Sequence, residues 1–323
     1  MDELLALLAG AEAGVITTAE LRAARVNRAL FERAVRGGVL AQVRPGAYTA
    51  GEAWRAAGGA ARHRLFVIAS VRLARRAPVV SHLSAAAMHG LPMIGSWPGT
   101  VHTLKPEATG GSRSSLRTSH RGTPDPNVMQ IDGVMVTSLR RTLLDLALTA
   151  PMVVSVTAMD AALHRALRVP GAKRFALSRD ILFEELERLG PAHGRRRAEA
   201  AIGFADGRSD SPGESLSRVR IFQFGFEVPE LQVRFRAVNA GRDAVVDFFW
   251  RGIQKVGEFD GRAKYLRGQR AGESEADVVW REKLREDALR TVVNSVNRWT
   301  WADAISPETF RRKLTEFGVP RAR

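Results

Sequence analysis

Three carboxylates, Asp247, Glu258 and Asp260, flank a turn between two strand-like runs, AVVDFFW and QKVGEFDG. Arg251–Gln254 joins the runs. If they form an antiparallel hairpin in which Trp250 pairs with Lys255, Asp247 falls directly opposite Glu258. Directly opposed residues carry Cβ atoms about 5 Å apart on one face. Asp260 lies two residues beyond Glu258 and shares that face. Carboxylates so close repel unless a cation sits among them. Hard oxygen donors suit Mg²⁺ or Mn²⁺. With Asp247, Glu258 and Asp260 as ligands, such an ion would lower the pKa of a bound water and stabilise charge on a phosphate in flight. Lys264 would neutralise or orient the attacking water, and Glu214 would reach the outer side of the metal. Other roles stay open for the same residues. Glu214 stands three residues after Ser211, the spacing of a capping box. Asp247 could cap a strand end. Arg218, Arg220, Arg281 and Arg285 could pair with the acids in a structural salt network.

The elements that must hold these side chains read as helix, strand, strand, strand, helix, strand, helix. SPGESLSRVRIFQFG opens a helix with Ser211 as N-cap and Pro212 in the first turn. ELQVRFRAV alternates as a strand. DVVWREKLREDALRTV reads as a helix with Trp280, Leu284 and Ala288 as its apolar stripe, and SVNRWTW as the last strand.

The other end of the chain has a different pattern. Residues 1–50 read as three short helices and a hairpin, the order of a winged helix-turn-helix. Thr17 or Thr18 caps TAELRAARV, with Glu20 placed for a capping box. Asn27 caps RALFERAVRGG, in which Leu30, Phe31 and Val35 recur at helical spacing. Arg28, Arg33 and Arg36, with Arg25 just before them, lie off that stripe. Arg44 sits at the Pro-Gly hairpin tip. Arginine can read guanine in the major groove or grip phosphate, so these five are the candidate DNA contacts.

The 323 residues are too many for one core of ordinary size, and the net charge of +15 asks for a polyanionic partner. Double-stranded DNA is the favoured partner, an anionic membrane the competing one, and a high-GC, arginine-rich surface without a partner the bland one. Cysteine is absent, which excludes disulfides and thiolate zinc sites and suits a cytoplasmic chain. No apolar run approaches a membrane span. The seven histidines, at 63, 82, 89, 102, 120, 164 and 193, show no ligand spacing and read as core or capping residues. The block 51–150 carries no catalytic constellation. Its basic, Ser-rich segment 110–121 reads as a surface loop.

Two resemblances follow from these residues. SPGES, VVDFFW, VGEFDGRAKY and the WREKLRED helix before a WTW strand resemble the PD-(D/E)XK nuclease superfamily over about residues 210–305, closest to the very short patch repair endonucleases. The resemblance implies a Mg²⁺-dependent phosphodiester hydrolase core with Asp247 and Glu258 as metal ligands. Asp260 departs from the Lys usual at its position, and Arg262 and Lys264 stand where that branch often places a His. TTAELRAARVNRALFERAVRGGVLAQVRPGAYTA, SHLSAAAMHGLP and VTSLRRTLLDLA resemble the AbiEi-like antitoxins of type IV abortive-infection systems over about residues 1–150. That resemblance implies promoter binding and a cognate toxin as partner. A homodimer is the ordinary expectation for such regulators.

The expected architecture is thus α+β. Residues 1–50 form a winged helix-turn-helix, 51–202 an antitoxin-like α/β and helical module, and 208–323 a mixed-sheet, restriction-endonuclease-like domain. The favoured function is a Mg²⁺-dependent DNA endonuclease in defence or repair. The alternative is a non-enzymatic repressor with a degenerate nuclease domain.

Overall fold

A computed structural model describes residues 2–105, 110–168, 177–239, 242–261 and 275–322. The chain is mixed α+β and divides into two compact units, Met1–Ala158 with Leu177–Gly203, and Met159–Ala176 with Phe204–Arg323. The boundary expected at 203–212 falls close to Phe204, where the second unit resumes. The one expected after residue 50 is not a unit boundary. Strand Ala47–Ala50 runs directly into helix Gly51–Ala56, and Gly51 lies so close to Gly38 that an added Cβ would sit 1.9 Å from its carbonyl oxygen.

In the first unit, helices Asp2–Ala9, Thr18–Ala23 and Arg28–Arg36 precede the hairpin Leu40–Arg44 and Ala47–Ala50. The short strand Ile16–Thr17 joins the hairpin through Ala47–Ala50 to make a three-stranded sheet. Local chemistry sets the helix starts. Thr17 Oγ1 accepts from Glu20 N at 3.3 Å while Glu20 Oε2 accepts from Thr17 N at 2.8 Å, and Asn27 Oδ1 accepts from Ala29 N at 2.8 Å. Each such cap is worth about 1 kcal/mol. Leu4, Leu8, Ile16, Leu21, Ala34 and Leu40 form the buried core of this part, with Phe31 and Val35 packed beside it.

The same unit holds a mixed six-stranded sheet. Its spatial order is Ser112–Arg113, Arg117–Arg121, Val101–Lys105, Val79–Val80, Val134–Val136, Met129–Ile131. Val101–Lys105 and Arg117–Arg121 run parallel. Segment 110–121, expected as a loop, thus carries two strands, because its alternating Thr118 and His120 find a parallel partner that no local pattern announces. Helices Gly59–Arg72, His82–Met88 and Leu139–Thr149 supply the other apolar surface.

In the second unit, helix Pro212–Gln223 precedes a four-stranded sheet in the order Glu230–Asn239, Arg242–Trp250, Lys255–Asp260, Ser295–Thr300. The first three strands are antiparallel and the last pair is parallel. Helix Glu275–Leu289 makes that parallel connection. Ser295–Thr300 ends one residue short of the expected end at Trp301, since Thr300 caps the helix Trp301–Ile305 with Asp303. The apolar stripe expected on Glu275–Leu289 is also corrected. Trp280 and Leu284 are 60% and 45% exposed, whereas Leu289 is fully buried. The helix is rotated so that Arg285 and Leu289 meet the sheet.

Candidate DNA-contact face and acidic site

The candidate DNA contacts divide by environment. Arg25, Arg28, Arg33 and Arg36 are exposed on and before helix Arg28–Arg36. Arg28 is tied to Glu32, one turn on, at 2.8 Å. Arg25 occupies the left-handed region at φ 54° in the turn between the two helices, a conformation that costs a non-glycine residue about 1 kcal/mol or more. Arg44 behaves differently. Its Nη1 donates to Ser70 Oγ at 2.6 Å and its guanidinium lies 5.8 Å from the Phe66 ring centre. Burial pushes its pKa down. The hairpin-tip arginine is therefore half-buried and engaged within the protein, because a half-buried serine and an aromatic face lie within its reach.

At the acidic hairpin the strand register is the one expected. Trp250 pairs with Lys255, Phe249 with Val256 and Phe248 with Gly257. The backbone ladder stops there. Asp247 Oδ2 instead accepts from Phe259 N at 2.9 Å, so the carboxylate finishes the strand end. Gln232 Nε2 donates to Glu214 Oε2 at 3.0 Å and to Asp247 Oδ1 at 3.4 Å. It bridges two of the predicted site residues. Sequence reasoning passed over it. The signal lies in its backbone, at φ 51° within a strand, which no residue pattern reveals. Glu214 also takes part in the helix cap: Glu214 N donates to Ser211 Oγ at 3.2 Å, Ser211 Oγ donates to Glu214 Oε1 at 2.8 Å, and Asp210 N donates to Glu214 Oε2 at 2.9 Å. The Glu214 side chain is 1% exposed.

Glu258 is buried and held by arginines. Arg285 Nη2 lies 2.7 and 2.8 Å from its two oxygens, and Arg298 Nη2 lies 3.2 Å from Oε2. Burial pushes the Glu258 pKa up, Arg285 and Arg298 pull it back, and nearby Asp247 adds a smaller push upward. Asp260 is half-buried, in register with Thr300 at the strand end. Lys264 lies outside the described residues. Among the described residues no group of three or more His, Asp or Glu is arranged to hold a metal ion. As they stand, the donors do not fit a divalent cation. Glu258 is already neutralised by guanidinium, and Asp247 is engaged by a backbone N–H and an amide.

Of the other arginines considered as partners for these acids, Arg218 pairs with Asp160 at 2.7 Å, both side chains under 5% exposed. Asp160 also accepts from Ser215 Oγ and Asp206 N. Arg220 lies over the Phe224 ring.

The histidines form a cluster that spacing does not reveal. His120 Nε2 and His102 Nδ1 are 2.9 Å apart, and the His82 and His120 rings stack at 3.6 Å. His82 Nδ1 contacts Ser81 Oγ at 2.9 Å and stands 3.7 Å from Asp145, which Arg141 holds at 2.8 Å. Ser81 occupies the cap position but turns its hydroxyl to His82 and not to a helix amide. His63 Nε2 lies 3.0 Å from Ser84 Oγ, which accepts from His102 N. Burial pushes His63 and His102 down to about 4, drives His82 well below the usual range and lowers His120. Burial pushes Asp145 up to about 6 against the pull of Arg141. These rings are neutral at neutral pH, His63 and His82 buried and His102 and His120 half-buried.

No family model matches the chain, and no curated protein matches it.

Proposed function

We propose that the chain is a DNA-binding regulator, in which residues 1–50 act as a winged helix-turn-helix and the C-terminal unit serves as a nuclease-like platform that does not cut. The order of three helices, hairpin and three-stranded sheet supports the first half. The observation that carries it is the exposed arginine set, Arg25, Arg33 and Arg36, on and before the third helix, where a reading helix meets the major groove. The helix, three antiparallel strands, helix and parallel strand of the second unit support the restriction-endonuclease-like reading. The arginine pair on Glu258 supports the absence of hydrolysis. A cognate toxin and a homodimer belong to this reading as proposed partners, double-stranded DNA as its ligand.

One observation favours the Mg²⁺-dependent endonuclease instead: the register brings Asp247 and Glu258 to the same end of the hairpin, with Glu214 tied to Asp247 through Gln232. A single experiment separates the two. Supercoiled plasmid is incubated with wild type and Asp247→Ala in Mg²⁺, Mn²⁺ or EDTA, beside a gel-shift. Binding without nicking in any metal is the expected result. Metal-dependent nicking by wild type, lost in Asp247→Ala, overturns the regulator in favour of the endonuclease.

A further inference from the structure

The first unit carries a cleft of about 480 Å³ that neither the arginine helix nor the acidic site uses. Its walls include Trp54, His63, Phe66 and Trp97, with Arg62 also lining it and no carboxylate among the lining residues. Trp54 lies on helix Gly51–Ala56, directly after the outgoing hairpin strand Ala47–Ala50. His63 stacks on Trp97 at 5.3 Å and 18°. Gly59 lets the indole approach, since an added Cβ would sit 3.3 Å from Trp97 Cδ1. Both indoles are only half-buried. Arg62 places its guanidinium 5.1 Å from the Trp54 ring centre and donates from Nε to the Trp54 carbonyl at 3.2 Å.

The volume falls within the roughly 300–1,000 Å³ of small-ligand sites. Flat aromatic walls favour a flat aromatic guest, and base–indole stacking tolerates any base because every base has a π-face. The guanidinium adds a cation for a phosphate or a π-face. The lack of a carboxylate disfavours a cationic guest, and the net charge of +15 favours an anionic one. We propose that this cleft is a stacking pocket for an unpaired nucleobase, presented by single-stranded, bulged or distorted DNA held by the same unit. The proposal rests on the DNA-binding reading above, and it makes the protein a reader of unpaired bases as well as of duplex.

The test uses the full chain and fluorescence anisotropy with labelled DNA: a fully paired duplex, the same duplex with one bulged adenine, and a single-stranded oligo-dA. Wild type should prefer the bulged duplex and the single strand. Trp54→Ala should weaken those two by roughly 5- to 100-fold and leave the paired duplex unchanged. Trp54→Phe, which keeps a ring, should restore most of the preference. Equal binding to paired and bulged duplex by wild type overturns the pocket while leaving duplex binding intact. Equal loss on all three DNAs in Trp54→Ala, with Phe failing to rescue, also overturns it. If wild type binds no DNA, the DNA-binding reading fails, and titration with dAMP then decides the cleft: saturable binding lost in Trp54→Ala sustains a nucleotide pocket, and no binding removes it.

Discussion

Arg285 grips Glu258 with a single nitrogen, Nη2, 2.7 and 2.8 Å from the two carboxylate oxygens. The contact joins the helix before the last strand to the middle of the sheet. It neutralises the carboxylate proposed as a metal ligand. Removing one partner of a buried ion pair leaves an uncompensated charge and costs several kcal/mol. Here Arg298 remains, and Arg285 is about one-fifth exposed, so the expected loss for Arg285→Ala is about 1–3 kcal/mol. Urea unfolding measures it, and an unchanged midpoint would show that the pair is ornamental.

Mg²⁺ gives a second view of the same carboxylate. A ligand that binds only the folded state raises the unfolding midpoint with concentration. Because guanidinium holds Glu258, about 10 mM Mg²⁺ should leave the wild-type thermal midpoint where EDTA leaves it. A rise in Mg²⁺ that disappears in Asp247→Ala would speak for the endonuclease.

Gly257 is required by packing. A Cβ there would sit 2.3 Å from the ring of Trp299, which is 1% exposed. Gly257→Ala should destabilise by about 1–3 kcal/mol or more through overpacking. Gly252→Ala, with open space around the added methyl, is the matched control and should stay within about 0.5 kcal/mol. Equal effects of the two substitutions would refute the packing argument.

The histidine cluster predicts acid sensitivity of the first unit. His63 and His102 titrate near 4 in the folded chain and near 6.5 when unfolded. Between those values the unfolded state binds more protons. The stability they contribute is complete above about 6.5 and is lost as pH falls toward 4. His82 and His120 act in the same direction. Asp145 opposes them: raised to about 6, it holds a proton in the folded state between about 3.8 and 6, so it contributes stability at low pH and withdraws it as pH rises. Four rings outweigh one acid. The thermal midpoint should fall between pH 6.5 and 4.5, and His63→Gln should flatten the fall. A flat profile across that window would contradict the neutral cluster.

The proposed DNA-contact face makes a divided prediction. Arg33→Ala and Arg36→Ala should each weaken duplex binding and reduce the salt slope by about one. Arg28→Ala should do less, because Glu32 already engages it. Arg44→Ala should leave affinity within about twofold and lower stability, since its guanidinium serves Ser70 and Phe66. Anisotropy over a KCl series, with thermal unfolding alongside, separates these outcomes. Affinity lost in Arg44→Ala at unchanged stability would return that arginine to the DNA face.

What could be read along the chain was whatever depends on neighbours in sequence. Thr17 and Glu20, Asn27, and Ser211 with Glu214 cap their helices within three residues. The hairpin register at Trp250 and Lys255 follows from a four-residue turn and a period of two. The element order and the four exposed arginines come from the same local rules. Tertiary structure decided the charges and the cluster. Arg285 meets Glu258 from 27 residues away, through a helix whose own apolar pattern, Trp280 and Leu284, points to solvent. His102 and His120 meet because two strands run parallel, a pairing whose connection leaves no short-range mark. Local hydrogen bonds and side-chain period act within a turn of chain, whereas a buried carboxylate takes whichever cation the packed sheet brings within about 3 Å, and only the folded chain determines which one that is.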